Sequence, residues 1–269
     1  MDIVISHETT YRYDRPVNYS IQALRLTPCI SSGQSVLRWN IAGRGRSPAS
    51  SGEDGFGNLV HTLTTLGDHS HVTIRASGEV RTQDTNGVLS GAIERFRPLF
   101  YLRSTGLTEA NEAIHGLARQ AKRNADGNLD LGHRLMGLVR DAVDYETGAT
   151  DAAHTAAEAI AAGAGVCQDH AHVFIACARA LEVPARYVSG YLWSEGSAGP
   201  FDAGHAWAEM FVGDLGWVGF DVANRICPTD AHVRVAVGRD YLDAAPVRGL
   251  RLGSADEQMQ VQVRVSAAQ

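Results

Sequence analysis

Residues 165–172 read Gly165-Val166-Cys167-Gln168-Asp169-His170-Ala171-His172, and the predicted fold is built outward from this stretch. A small, glycine-rich run at 161–165 leads into it, and apolar residues then recur at helical spacing from Cys167 onwards. This pattern predicts a buried helix whose first turn carries the Cys167 thiol. Free N–H groups and the positive end of the helix dipole favour a thiolate at that position, and a thiolate is a strong nucleophile.

Two later segments supply the side chains that a thiol nucleophile needs. His205 opens the segment 205–212, in which every second residue shares a face, and Asp221 closes the segment 216–221. A nucleophile, a base and an orienting carboxylate in this order form the Cys-His-Asp arrangement that activates thiols. We therefore predict that Cys167, His205 and Asp221 are catalytic, with two antiparallel strands packed on the cysteine helix.

Three blocks of the chain, 165–172, 205–209 and 216–221, read as G-x-C-Q-D-x-A-H, H-A-W-x-E and G-W-x-x-F-D. In order and content they resemble the bacterial transglutaminase-like cysteine proteases, a branch of the transglutaminase-like superfamily. The resemblance extends more loosely over nearly the whole chain and implies a papain-like core. One departure follows the third block, where the branch continues as D-P-x-N and this chain reads Asp221-Val222-Ala223-Asn224. Without the proline, the turn after this strand is expected to be looser.

An enzyme of this kind also needs an oxyanion hole, in which two donors meet the developing negative charge. The backbone N–H of Cys167, at its helix N-terminus, is the first predicted donor. The resemblance implies that the second comes from a residue upstream, and Tyr145 is the best positional match. Gln168 is the weaker alternative, because it follows the nucleophile.

The sequence offers one rival for the carboxylate and one for the base. Asp202 is the rival of Asp221, but it lies in a loop rich in glycine and proline. His170 is close to Cys167 in sequence, yet a base on the same helix cannot easily reach the substrate from the other side.

Metal sites have weaker support in the sequence. Cys167, His170 and Cys177 lack the paired C-x-x-C spacing of zinc sites, and the chain has no D-x-D-x-D-G calcium loop. The N-terminal region carries His61, His69 and His71, and the two at i, i+2 could share one strand face and bind a metal, but lone strand histidines usually face solvent. The predicted chemistry needs no metal and no organic cofactor.

Composition limits the classes of protein that fit the chain. It has 269 residues and a formal net charge of −6 from 24 basic and 30 acidic side chains, so we expect no nucleic-acid partner. No apolar run reaches the roughly 18 residues of a membrane helix, and no secretion leader is seen. The 4 cysteines show no disulfide-scaffold spacing, which favours free thiols in a cytoplasmic protein without a membrane partner. A homo-oligomer is left open.

The predicted class is α+β, with two domains that differ in composition. Residues 1–100 carry strand patterns separated by turn signals at intervals of roughly ten residues, a rhythm typical of a small β-sandwich. Residues 101–269 form the predicted transglutaminase-like catalytic domain, a helix-on-antiparallel-sheet core with helices at 108–122 and 129–143. The alternating stretch 259–265 is expected to be a terminal strand that returns to a sheet, and the N-terminal sheet is one destination.

These observations predict an acyl-transfer enzyme that works through a thioester. Cys167 attacks the carbonyl of a peptide bond or of a glutamine carboxamide, and His205 passes the thiol proton to the leaving amine. Water or an amine then resolves the thioester, and the resemblance favours hydrolysis of a peptide or protein substrate. Three alternatives stay open: a protein-glutamine gamma-glutamyltransferase that cross-links, another amine acyltransferase or glycan amidase, and a non-catalytic binding module.

Overall fold

The structure is a computed structural model that describes residues 1–43, 50–148, 151–195 and 204–268. Its strands are β1 (Asp2–Leu24), β2 (Gln34–Gly43), β3 (Ser50–Glu53), β4 (Leu59–Thr82), β5 (Val88–Leu89), β6 (Asp144–Tyr145), β7 (Ala164–Gly165), β8 (Ala185–Leu192), β9 (His205–Val212), β10 (Gly216–Phe220), β11 (His232–Gly238), β12 (Val247–Leu252) and β13 (Glu257–Ala267). Its α-helices are α1 (Glu112–Lys122), α2 (Gly127–Ala142), α3 (Ala156–Ala162), α4 (Cys167–Ala180) and α5 (Tyr241–Ala244). None of these helices is long and apolar enough to cross a membrane.

The N-terminal strands form one antiparallel sheet, not the two-sheet sandwich that the turn rhythm predicts. Strands β1 and β4 pair along most of their lengths, with β2 and β3 on the far side of β4. The C-terminal strands β12 and β13 pair with the free edge of β1, so the two ends of the chain share a sheet. The predicted terminal strand 259–265 lies within β13.

The sandwich prediction fails because two predicted turns are bends within long strands. The register between β1 and β4 shifts between Arg12 and Val17, and Pro16, which has no N–H for a ladder, lies in this irregularity. On β4 the backbone turns at Gly67, whose φ of +78° favours glycine. The bend curls the sheet around an apolar cluster of its own, formed by Tyr11, Tyr13, Val17, Leu24, Leu26, Ile41, Leu63, Val72, Ile74, Ala76 and Ala255.

The second half of the chain is a five-stranded antiparallel sheet with helices on one face. Its strand order is β11-β8-β9-β10-β5. Helix α4 packs on β8 and β9, and α1, α2 and α3 surround it, so the cysteine helix is buried along most of its length. The N-terminal sheet adds apolar side chains to the same core, namely Ile3, Ile5, Val80, Val263 and Val265. This is a mixed helix and sheet fold centred on α4.

The other face of the second sheet carries a buried ion network around Glu209. Its carboxylate accepts hydrogen bonds from Arg186 at 2.7 Å and from Arg234 at 2.7 Å, so its partners come from strands β8 and β11. The Arg186 guanidinium also stacks 3.9 Å from the centre of the Trp217 ring. Burial opposes ionisation of Glu209, but the charges of Arg234 and Arg186 prevail and lower its pKa to about 2.

Replacing Glu209 with alanine is expected to lower the free energy of unfolding by about 3–5 kcal/mol, because two buried guanidinium groups lose their partner. The pKa of Glu209 falls from 4.5 to about 2 on folding, so its stabilising effect is full above pH 4.5 and is lost as the pH falls through 2. Urea unfolding at pH 7 and at pH 3 measures both effects. The control is Glu112→Ala, which removes an exposed ion pair with Arg119 and should cost less than about 1 kcal/mol. An equally small change for Glu209→Ala would contradict this account of the network.

Candidate active site

The local structure around Cys167 explains the spacing of the first sequence block. Cys167 is the first residue of α4, so its backbone N–H has no partner within the helix. The buried carboxylate of Asp169 folds back to accept the Val166 N–H at 2.8 Å, and its other oxygen lies 2.9 Å from Nδ1 of His154. Position 165 must be glycine, because a Cβ there would lie 2.7 Å from the Asp169 Cβ.

The two strands that carry the second and third blocks bring His205 and Asp221 to the same end of the sheet. Strand β9 begins at His205 and its antiparallel neighbour β10 ends just before Asp221. Nε2 of His205 lies 2.7 Å from Oδ2 of Asp221. The side chain of His205 is also hydrogen-bonded to that of Cys167. Because Nε2 faces the carboxylate, the nitrogen that faces the thiol is Nδ1. The structure thus brings together all three predicted catalytic residues.

The charges of this group reinforce one another. Burial on its own would lower the pKa of His205, but hydrogen bonds to Asp221 and Cys167 raise the pKa to about 10. Burial would raise the pKa of Asp221, but hydrogen bonds from His205 and His232 hold it well below its usual range. The imidazole therefore holds its proton at neutral pH, in the form that complements a thiolate on one side and a carboxylate on the other.

His232 is a further contact of the candidate site, and no sequence motif pointed to it. Its Nε2 lies 3.0 Å from Oδ2 of Asp221, and its Nδ1 accepts the backbone N–H of Thr229 at 3.0 Å. Since Nδ1 accepts, the ring proton is on Nε2, and His232 donates to the carboxylate. It is the first residue of β11, eleven residues after Asp221 and outside the three sequence blocks, so it gave no local signal.

Asn224 is the second partner of Asp221, and the family pattern did contain it. Its side-chain Nδ2 donates to Oδ2 of Asp221 at 2.8 Å, and its backbone N–H lies 3.3 Å from Oδ1. The turn stays closed without the proline, because Asp221 and Ile226 exchange two backbone hydrogen bonds at 2.8 and 3.2 Å. The missing proline does not prevent these hydrogen bonds, and the looser turn expected from its loss stays a prediction.

Tyr145 lies beside the approach to the nucleophile. Strand β6 pairs with β7, which aligns Tyr145 with Gly165, and the tyrosine ring stacks on His170. Burial raises the pKa of the Tyr145 phenol, and the charges of Cys167 and Asp221 raise it further. The assignment of Tyr145 as second oxyanion donor, beside the Cys167 N–H, stays a prediction with a suitable location.

The weaker candidates have other positions. The Gln168 side chain points to the carbonyl oxygen of Ala152, at 3.5 Å. His170 is buried, with Nδ1 2.8 Å from the Val166 carbonyl oxygen and Nε2 2.9 Å from that of Val143, so it joins α4 to the end of α2. Asp202, the rival carboxylate, lies outside the described residues.

Two histidine clusters bear on the question of a metal. His205, Asp221 and His232 lie close enough to surround an ion, but Nε2 of His232 carries its proton and so offers no lone pair in this tautomer. In the N-terminal sheet, His69 uses both ring nitrogens, on Ser20 at 2.9 Å and on the Gly67 carbonyl oxygen at 2.7 Å. The donor sets fit hydrogen-bonded histidines better than metal ligands.

The geometry predicts that iodoacetamide at a pH near 6 labels Cys167 well before the other thiols. Cys167 has a hydrogen-bonded imidazole beside it, whereas burial raises the pKa of Cys177 to about 12 and also raises that of Cys227. Mass spectrometry of tryptic peptides at short reaction times gives the order, with Cys29 as a half-buried reference. Labelling of Cys167 at the rate of Cys29 or slower would contradict an activated thiol.

Comparisons with known proteins relate this chain to transglutaminase-like proteins. Residues 115–222 match the profile of the transglutaminase-like superfamily, and residues 3–81 match that of the bacterial transglutaminase-like N-terminal region. The uncharacterized protein ML0607 of Mycobacterium leprae is 28% identical over 276 residues, which cover 97% of each chain. The uncharacterized protein Rv2569c of Mycobacterium tuberculosis is 28% identical over 271 residues, 91% of this chain and 86% of that one.

A solved structure shares the fold. It comes from Cytophaga hutchinsonii and is provisionally described as a cysteine protease. It aligns with a TM-score of 0.78 and 22% identity, over 100% of this chain and 92% of that one. At this identity the likeness shows the fold, and the chemistry has to be argued from the residues of this chain.

Proposed function

Because the chain belongs to the transglutaminase-like superfamily, we propose that it is a cysteine-dependent acyl-transfer enzyme acting on peptide or glutamine carboxamides, with hydrolysis as the usual outcome. The observation that carries this proposal is the position of His205, hydrogen-bonded to Asp221 on one side and to Cys167 on the other. A base held in this way can take the thiol proton and return it to a leaving group.

The proposed reaction has two halves. The Cys167 sulfur attacks the carbonyl carbon, and the carbonyl oxygen becomes an oxyanion facing the Cys167 N–H and Tyr145. The C–N bond then breaks, the amine leaves with the proton held by His205, and a thioester remains on Cys167. His205 next removes a proton from water, which attacks the thioester and releases the acid.

Asp221 and its partners set the direction of proton transfer. The carboxylate accepts from Nε2 of His205, which leaves Nδ1 to exchange protons with the thiol and the leaving amine. His232 and Asn224 both donate to the same carboxylate oxygen, so Asp221 keeps its orientation while the imidazole changes charge. The site thereby holds its reacting groups in place before a substrate binds.

Mass spectrometry of a peptide library incubated with the protein and a primary amine separates the outcomes. Hydrolysis gives cleaved peptides or glutamine converted to glutamate, whereas cross-linking chemistry gives glutamine joined to the amine. We expect the hydrolytic products to dominate, following the branch whose three motifs the chain shares. The Cys167→Ala variant is the control for contaminating proteases. Peptides unchanged by a protein whose Cys167 still alkylates rapidly would overturn the proposal in favour of a binding module.

A further inference from the structure

A cavity of about 220 Å³ adjoins the candidate nucleophile and extends to the N-terminal sheet. Cys167 and His205 line one part of it. The opposite wall comes from β1 and β13, where Thr9 and Val261 are paired across the two strands. These two strands therefore complete the wall of the cavity, a role for the N-terminal sheet that no local sequence pattern predicts.

The walls of this cavity are mostly apolar and carry no unpaired charge among the described residues. Val235, Val247 and Val261 contribute aliphatic surface. The one lining arginine of the described residues, Arg25, is paired with Asp54 at 2.8 Å. A charged ligand group would therefore lose its hydration without gaining a partner.

The polar residues of the far wall are neutral and bonded to one another. His7 is buried, with Nδ1 2.9 Å from the Tyr191 hydroxyl and Nε2 2.9 Å from the Thr9 hydroxyl. Burial lowers the pKa of His7 to about 4, so the ring is neutral at pH 7. Burial also raises the pKa of Tyr191 above its usual value. These hydrogen bonds give the buried polar groups of the wall their partners without placing a charge in the cavity.

We infer that this cavity is the acyl subsite of the enzyme, taking an uncharged, apolar substituent on the acyl side of the bond that Cys167 attacks. The inference rests on the proposed function. The acyl group stays attached to Cys167 through the second half of the reaction, whereas the amine must leave and water must enter. A recess beside the sulfur suits the group that stays, and its aliphatic walls favour an apolar group over a charged one.

Alkyl chloromethyl ketones, R–CO–CH₂–Cl, test the subsite without requiring turnover. The Cys167 sulfur bonds to the CH₂ carbon, the C–Cl bond breaks, chloride leaves and the former thiol proton stays on His205. Three probes differ only in R, which is methyl, n-butyl or 3-carboxypropyl. Each labelling rate of Cys167 is divided by the rate of the same probe with glutathione, which removes differences in intrinsic reactivity.

The normalised rate should rise by about fourfold for each methylene that leaves water, so the butyl probe should exceed the methyl probe by tenfold or more. The 3-carboxypropyl probe should show no such gain, because its carboxylate would have to be desolvated. A butyl-to-methyl ratio near one would overturn the inference, and so would a carboxypropyl probe faster than the butyl probe.

A substitution that fills the cavity provides a second test of the subsite. Val261→Phe should reduce the butyl-to-methyl ratio to within about twofold, since the added ring occupies the space of the tail. Its matched control is Gln262→Phe, the next residue on β13, which is exposed and should keep the wild-type ratio. A wild-type ratio in Val261→Phe would place the tail elsewhere and overturn the inference.

The same data distinguish failure of the subsite from failure of the proposed function. The methyl probe reports the reactivity of Cys167 alone. Rapid methyl labelling without a tail effect rejects the subsite and leaves the nucleophile intact. Slow labelling of Cys167 by every probe, at the rate of Cys29, rejects the activated thiol itself. Circular dichroism and the methyl rate show whether Val261→Phe keeps the native fold and site.

Discussion

Replacing Cys167 with alanine is expected to reduce the turnover of a good amide substrate to background, a loss on the order of 10⁵ to 10⁶ in kcat/KM. The reason is that the proposed route passes through a thioester on this sulfur, and alanine offers no atom that could replace it. Cys167 lies at the start of α4, where its backbone does not depend on the side chain, so the fold should persist. Steady-state kinetics measure the loss of turnover, and circular dichroism shows whether the fold persists.

The matched control for this change is Cys227→Ala. Cys227 is also a half-buried free thiol, and it is not among the residues that contact His205 or Asp221 in the described part of the chain. It should keep wild-type kinetics. Wild-type activity in Cys167→Ala would mean that the nucleophile lies elsewhere, and the mechanism would have to be abandoned.

Removing the base, His205, should lower kcat/KM nearly as much as Cys167→Ala does. Altering the carboxylate of Asp221 should lower it less. His205→Ala deletes the group that holds the thiol proton and returns it to the leaving amine. Asp221→Asn keeps the shape of the side chain but loses its charge; in serine enzymes a change of this kind costs about 10⁴-fold in kcat. We expect a smaller loss here, because a thiol ionises more easily than a hydroxyl and depends less on its base. The expected order is Cys167→Ala ≈ His205→Ala, both worse than Asp221→Asn.

The contacts of Asp221 give a structural reason for the milder effect. Oδ2 accepts from His205, His232 and Asn224, whereas in the described residues Oδ1 has one longer contact, with the Asn224 backbone. An asparagine at position 221 should keep its amide oxygen toward the three donors, which preserves the productive imidazole tautomer.

Combining Asp221→Asn with His232→Phe tests this reasoning. Phenylalanine removes one of the donors that orient the amide, so the double variant should lose more activity than the two single losses multiplied together. The readouts are kcat/KM and its pH profile, because a purely structural defect would lower the rate without moving the profile. The role given to His232 would be contradicted if the loss in the double variant equalled the product of the two single losses. It would also be contradicted if Asp221→Asn lowered kcat/KM as much as His205→Ala.

The meeting of Cys167, His205 and Asp221 in one candidate site could be predicted because its signals are local in the sequence. Each signal can be recognised from residues next to one another in the chain. The signals are the glycine-rich entry to α4, the alternation that begins at His205 and the position of Asp221 at a strand end. Asn224 could have been predicted for the same reason, since it stands three residues after Asp221 in the family pattern.

Other features depend on how the strands pair and pack. His232 meets Asp221 only because β11 lies beside β8, and His7 reaches the cavity only because the long antiparallel pair of β1 and β4 packs against the second sheet. The sandwich prediction failed in the same way. Pro16 and Gly67 signal a change of direction, but the sequence alone does not separate a bend within a strand from a turn between strands.

The central claim is a thioester on Cys167, and an acid-quenched reaction tests it most directly. The protein is mixed with an activated acyl ester, stopped in acid within the first turnovers, digested and analysed by mass spectrometry. The account predicts the acyl mass on the peptide that contains Cys167, its release by hydroxylamine, and its absence in Cys167→Ala. Product formation with the acyl group on another residue, or with no acyl-protein at any time, would contradict the account.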